Sequence, residues 1–265
     1  MSVRFENKKV FVTGAACGIG YEICRQFALE GARVGLNARR QETSETSSKK
    51  INEELSNSLV SPYPADLSNV AAIQKSVNDF AEENGGIDIF VANAGITVFE
   101  RFENILAEDF SHLMDVNMRG TYFSVQAAAK QMIKNGTKGR IILMSSVCGV
   151  QAHRNTSAYG MTKAAIIQLA RSLSEELGDY GITVNVVAPG ATQSERTLED
   201  PNYTSGWKSV SPSRTVGTPA DIAHTTLFLA DEKSAHITGE TIMVDGGWTA
   251  TSPLPQHLEK ELKPQ

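Results

Sequence analysis

The stretch "VFVTGAACGIGYEI", Val10 to Ile23, decides the fold. Its first four residues are apolar or β-branched and read as the end of a buried strand. Three glycines follow, Gly14, Gly18 and Gly20. Apolar residues then recur at Ile19, Ile23, Phe27 and Ala28 with helical spacing. Strand, glycine turn and helix in this order suit a phosphate: the glycines permit a tight turn and close backbone approach, and the helix start offers free N–H groups. The spacing G-x-x-x-G-x-G differs from the commoner G-x-G-x-x-G, so the reading also needs its surroundings.

Those surroundings repeat the unit. "ARVGLNA" is a second strand, and a polar, exposed helix is expected from Gln41 to Ser58. "LVSPYPADL" is a short strand ending near Asp66, followed by a helix to about Asn84. "IDIFVANAG" is a continuous apolar strand, and a long helix, bent along its length, follows from about Ala107 to Lys134. "GRIILMSS", a helix from Ser157 to Leu177, "ITVNVVAPG", a short helix at Ala220–Leu229 and "ETIMVDGG" complete the alternation. Fully apolar strands alternating with helices point to a parallel sheet covered on both faces.

The bulk properties narrow the class. A chain of 265 residues that is 41% apolar can bury one substantial core. A net charge of −5 argues against a nucleic-acid partner. Three cysteines, Cys17, Cys24 and Cys148, show no metal-ligand spacing, and no metal is expected. No segment reads as a secretory signal or a membrane span, so the expected location is the cytoplasm.

"YGMTK" begins inside a helix and places Tyr159 and Lys163 one turn apart on the same face. A free phenol titrates near ~10, and moving it to ~7 requires about 4 kcal/mol favouring phenolate. One ammonium about 4 Å away supplies roughly that at an effective dielectric near 20. The pair therefore suits a general acid or base.

At this point the residues resemble the short-chain dehydrogenase/reductase family, in its compact single-domain branch. The resemblance runs from Lys8 to about Gly247, with markers in order: "TGAACGIG", "ADL", "ANAG", "VNMRG", "MSS", "YGMTK", "VAPGATQS" and "VDGG". It implies an α/β, doubly wound Rossmann fold with a single parallel seven-stranded sheet and helices on both faces. The expected domain is residues 1–247, with a substrate loop at about 191–218 and a surface extension at 248–265 that carries Pro253, Pro255 and Pro264. Tyr159 would be the acid or base at the substrate oxygen. Lys163 would lower its pKa and hold the nicotinamide ribose. Ser145 or Ser146 would bind the substrate oxygen, and the family's spacing to the tyrosine selects Ser146. Asn117 would hold a water leading from the lysine to solvent.

For the cofactor, the resemblance assigns Gly14, Gly18, Ile19 and Gly20 to the pyrophosphate, Asp66 to adenine, and Asn93 and Gly95 to the adenosine ribose. It assigns Pro189, Gly190 and Thr192 to the nicotinamide side. Ala92 and Ser194 depart from the family pattern, which has asparagine and threonine there. At the end of the second strand, Ala38 stands where an acid would hold the ribose of NAD, and Arg39 offers a planar fork of donors suited to a 2′-phosphate. Asn37 and Arg40 are placed to assist, and the expected cofactor is NADP.

The expected activity is hydride transfer between NADP(H) and a ketone, aldehyde or secondary alcohol. His153 and Arg154 hint at a polar or anionic substrate, such as a sugar, polyol, keto acid or 3-oxoacyl compound. Tyr203 and Trp207 would either cover the substrate or anchor their own loop. The alternative is a non-catalytic NADP-sensing regulator on the same fold, which would not need all of Asn117, Ser146, Tyr159 and Lys163. A homotetramer, or a dimer, is expected through the two long helices, with Ala127, Ala128 and Ala129 either allowing close helix approach or packing on the sheet.

Overall fold

The computed structural model describes residues 3–195 and 197–252; the prolines of the expected extension, Pro253, Pro255 and Pro264, lie outside the described residues. Seven strands, β1 (Lys9–Val12), β2 (Arg33–Leu36), β3 (Val60–Pro62), β4 (Ile89–Ala92), β5 (Arg140–Met144), β6 (Thr183–Pro189) and β7 (Thr241–Val244), form one sheet. Its order is β3-β2-β1-β4-β5-β6-β7, and every neighbouring pair is parallel. The helices are α1 (Gly18–Leu29), α2 (Gln41–Leu55), α3 (Val70–Asn84), α4 (Ala107–Met114), α5 (Thr121–Lys134), α6 (Ser157–Glu176), α7 (Tyr203–Val210) and α8 (Pro219–Ala230). This is the doubly wound arrangement that the alternation predicts.

The two-residue period of the strands sorts the core into two layers. Val10, Val12, Val34, Leu36, Ile89, Val91 and Ile142 meet α1, α2 and α8 through Ile23, Phe27, Ile51, Ile222 and Leu227. Phe11, Phe90, Ile141, Leu143, Val184 and Val186 face the other way, onto Ile73, Val77 and Phe80 of α3, Val125 and Met132 of α5, and Ile166 and Ile167 of α6. Ala127, Ala128 and Ala129 belong to this second layer. They bring α5 close to the sheet, and being buried they offer nothing to a second subunit.

Four segments differ from their sequence reading. α2 lacks an apolar stripe but is not simply exposed: Ser44, Ser48 and Ile51 form its buried face. The Ser44 hydroxyl donates to Leu36 O, and that of Ser48 donates to Ser44 O, so both polar groups are satisfied internally. The long helix is interrupted by a π-helical turn at Asp115–Gly120, which separates α4 from α5 and buries Asn117 completely. Residues 191–218 are not a structureless loop. They hold a short 3-10 turn at Thr197–Glu199 and the helix α7. α8 starts one residue before its reading, because Thr218 and Asp221 form a reciprocal capping box with Pro219 in the first turn.

Gly35 shows how tightly the second layer is filled. A Cβ there would lie 2.7 Å from both the Phe11 and the Phe80 rings. Those rings pack edge to face at 5.4 Å. Gly35→Ala is therefore expected to cost about 1–3 kcal/mol of stability through overpacking, read by urea unfolding. An unchanged midpoint would show that Phe80 can yield.

Candidate active site

The strand order reverses between β1 and β4, and the segments leaving them diverge to opposite faces of the sheet. In open α/β sheets this is where a crevice forms. Here it holds two adjoining cavities of about 380 and 220 Å³, both lined in part by Asn93 and Gly95.

The first cavity is lined by Gly14, Asn37, Arg39, Asp66, Leu67, His112 and Val116, among others. Its floor is the glycine turn pressed against the segment after β4. A Cβ on Gly14 would lie 2.6 Å from Ala94 Cα, and one on Gly20 would lie 2.5 Å from Asn93 Nδ2. Gly14 and Gly18 also have positive φ, 63° and 58°. Only glycine fits Gly14's conformation and space together. α1 begins with no side-chain cap and no acidic residue in its first turn, so its N–H groups are left for an anion. These features fit the pyrophosphate of a dinucleotide.

Asn93 and Thr13 hold that floor in place. The Asn93 amide donates to Thr13 O and Gly14 O at 3.1 and 2.9 Å, and the Thr13 hydroxyl oxygen accepts from Asn93 N and Ala94 N, both at 3.1 Å. Asn37, expected to assist Arg39, is instead fully buried and spent on the backbone. Its oxygen accepts from Gly14 N, and its amide donates to Tyr63 O and Ala65 O. Arg40 is exposed and does not line the cavity, whereas Arg39 does. Burial works to raise Asp66, but bonds from Ser68 and the nearby charges of Arg39 and His112 outweigh it and keep this carboxyl below its usual range. Thr13 and His112 escaped the sequence reading. A threonine before a glycine turn reads as strand, and His112 precedes the "VNMRG" segment by one helical turn without a distinguishing pattern.

The second cavity brings together Ile19, Ser145, Ser146, Tyr159, Lys163, Pro189, Gly190 and Thr192, with Ser194, Thr197 and Tyr203 from the following segment. Ser145 and Ser146 separate cleanly. Ser145 is buried and donates to Lys163 O at 2.8 Å, tying β5 to α6. Ser146 accepts from Cys148 N and caps the short turn after β5 while still lining the cavity.

Lys163 Nζ lies 5.6 Å from the centre of the Tyr159 ring and donates to Met144 O at 2.9 Å. Burial brings its pKa down from 10.5 to about 8. Asn117 spans the back of the site: it accepts from Ile96 N, donates to Ile96 O and reaches Thr162, whose hydroxyl donates to Tyr159 O. Gly95 leaves the space between the two groups open, since a Cβ there would lie 3.3 Å from Lys163 Nζ and 3.4 Å from Asn117 Oδ1. His153 and Arg154 do not line this cavity. His153 packs edge-on against Trp248 at 4.5 Å, and burial lowers its pKa.

A buried ammonium opposes folding. Below about pH 8 Lys163 is charged in both states and the folded state bears the desolvation, whereas towards pH 10.5 the folded chain has already shed the proton. Lys163→Met is thus expected to stabilise the fold at pH 7 by up to about 3 kcal/mol, less whatever the bond to Met144 O contributes. The gain should fade between pH 8 and 10.5. Melting curves of both proteins at pH 7 and pH 10 check this, and a destabilised variant at pH 7 would contradict it.

With this geometry in hand, known proteins give the comparison. A family model described as enoyl-(acyl carrier protein) reductase matches residues 14–249. The L-rhamnose-1-dehydrogenase of Scheffersomyces stipitis is 34% identical over 93% of this chain and 98% of its own length. A glucose 1-dehydrogenase of Gluconobacter oxydans is 35% identical, with 93% of each chain covered. The structure of a gluconate 5-dehydrogenase from Burkholderia cenocepacia, in complex with NADP and tartrate, superimposes with a TM-score of 0.88 at 28% identity, covering 95% of this chain and 98% of that one. The chain belongs to the short-chain dehydrogenase/reductase family, as an oxidoreductase acting on alcohols and ketones.

Proposed function

We propose that this oxidoreductase is NADP(H)-dependent and that Tyr159 is its general acid or base. The observation that carries the reading is the convergence of Ser146, Tyr159 and Lys163 on one cavity that adjoins the glycine turn. Bound there, the nicotinamide of NADP(H) would give or take the hydride. Tyr159 exchanges a proton with the substrate oxygen at its phenol, and the Lys163 ammonium favours its phenolate. Ser146 orients that oxygen. Asn117 keeps the segment after β4 fixed against α6, with a water beside it as the path for replacing the proton.

For the dinucleotide, Gly14, Gly18, Ile19 and Gly20 take the pyrophosphate, while Asp66, Asn93 and Gly95 take the adenosine half. Pro189, Gly190 and Thr192 take the nicotinamide side. Arg39 selects the 2′-phosphate: it lines the first cavity beside Asp66, and buried Ala38 leaves no carboxylate to repel that phosphate.

A neutral polyhydroxy substrate, a sugar or polyol, fits better than a keto acid. The second cavity is lined by the hydroxyl-bearing residues Thr97, Ser146, Thr192, Ser194 and Thr197, and the positively charged Arg154 stays outside it. The likeness to L-rhamnose and glucose dehydrogenases supports this. The reading includes a single catalytic domain over residues 1–247, a cytoplasmic location and a homotetramer, whose contacts would use the outer faces of α5 and α6, where Tyr122 and Met161 are exposed.

Two experiments test it. Arg39→Ala should weaken NADPH binding by ten- to several-hundred-fold, roughly the worth of one or two charge-assisted bonds, and leave NADH binding nearly unchanged. Equal losses for both would remove Arg39 from the phosphate. Tyr159→Phe should bind NADPH normally and lose at least about a thousandfold in turnover of a sugar substrate, within the usual range for a positioned acid or base. Retained turnover would remove Tyr159 from the chemistry and favour a sensor.

A further inference from the structure

Asn37 follows β2 directly and is fully buried between two parts of the first cavity. On the β1 side it holds the glycine turn twice. Its main-chain oxygen accepts from Ala15 N at 2.7 Å, and its side-chain Oδ1 accepts from Gly14 N at 3.3 Å. On the β3 side its amide donates to Tyr63 O at 2.9 Å and to Ala65 O at 3.2 Å. The glycine turn is where a pyrophosphate is proposed to bind, and Ala65, Asp66 and Leu67 line the cavity on the adenosine side. A single side chain therefore spans the two subsites from below.

The three partners of that side chain ask for one acceptor and two donors. Asparagine supplies this set. An ionised aspartate offers acceptors only, a hydroxyl donates once, and glutamine would force a further methylene into a fully buried place. The charged groups around it are few. The glycine turn carries none, Arg39 and Asp66 share the cavity, and Tyr63 turns its phenol away to Glu83. The amide itself does not titrate, so its bonds persist across the range in which carboxylates and histidines change charge.

We infer that Asn37 is a positioning residue for the dinucleotide: it fixes the gap between the pyrophosphate turn and the adenosine loop, acting through their backbone. The inference rests on the dinucleotide site proposed above and deepens it. Arg39 reads the 2′-phosphate alone, whereas Asn37 sets a spacing that NADP and NAD share, so its loss falls on both cofactors.

Asn37→Asp, nearly isosteric, tests this through pH. Burial and the two facing carbonyl oxygens raise the pKa of the introduced carboxyl. Protonated, it still accepts from Gly14 N and donates to one carbonyl. Ionised, it repels both and pushes the adenosine loop away. Fluorescence titrations with NADPH and with NADH compare variant and wild type at each pH, with folding followed by circular dichroism. The variant should bind both cofactors within about threefold of wild type near about pH 5.5, and at least about tenfold more weakly near about pH 9. The loss should be the same factor for NADPH and NADH, and should reverse when the sample is returned to low pH. Should that variant not fold, Asn37→Ser carries the test: it should weaken both cofactors equally, by about three- to tenfold, at every pH. Unchanged binding in the variant tested, a loss confined to NADPH, or an Asn37→Asp loss that ignores pH overturns the positioning role and leaves the dinucleotide site standing. A wild-type protein that binds neither NADPH nor NADH overturns the site and the inference together.

Discussion

The close approach of two strand ends governs this molecule. Gly14 must pass Ala94 with no room for a Cβ, and Gly20 must pass Asn93 in the same way. Nothing apolar can fill that contact, so it is closed by polar groups, with Thr13 and Asn93 satisfying each other's backbone across it. Asn37 joins the same contact to the loop after β3. The ends of β1, β2, β3 and β4 are thus locked into one rigid edge. The floor of the crevice is thereby preformed, because Thr13, Asn37 and Asn93 already have partners.

That rigidity is what makes a buried lysine tolerable. Lys163 sits between β5 and α6 with its ammonium on Met144 O, and Ser145 holds its carbonyl. Gly149 lets the turn after β5 rest directly on the helix, since a Cβ there would lie 2.8 Å from the Lys163 carbonyl carbon. A charge held this way costs stability, and the lowered pKa expresses that cost. Its neighbour on the helix is Tyr159, and the proposed chemistry uses the same field that the fold has to bear. The π-helical turn serves the same corner from behind. Within it Asn117 is buried and turned to Ile96, whose N–H and C=O it pairs with.

The segment from 191 to 218 follows a different logic. It buries little, it is rich in hydroxyl groups, and its hydrogen bonds run mostly to itself. Thr197 accepts from Ser194 N and donates to Thr192 O or Ser194 O, while Tyr203 returns to Thr192. Such a segment is well placed to move, because its bonds are satisfied by neighbours that can exchange with solvent or ligand. The aromatic contacts from Trp207 through Trp248 to His153 limit that motion to one end.

The layers of the fold were legible in the chain because burial on both faces of a parallel sheet leaves an unmistakable run of apolar residues at each strand, and the glycine turn marks where the first strand must give way to a helix. The i, i+4 spacing placed Tyr159 and Lys163 on one face, since that relation is local. Three other facts depended on partners distant in sequence. Ser145 and Ser146 are adjacent and chemically identical, and only the arrival of α6 assigns the first to the Lys163 carbonyl and leaves the second on the cavity. Asn37 and Arg39 lie two residues apart beyond the same strand, yet the glycine turn and the loop after β3 take up Asn37 while Arg39 stays on the cavity. The alanines of α5 read equally well as a subunit contact or a core contact, and the packing of that helix on the sheet decided for the core. In each case the sequence specified the chemistry a residue carries, and the choice of partner belonged to elements that meet only when the sheet closes.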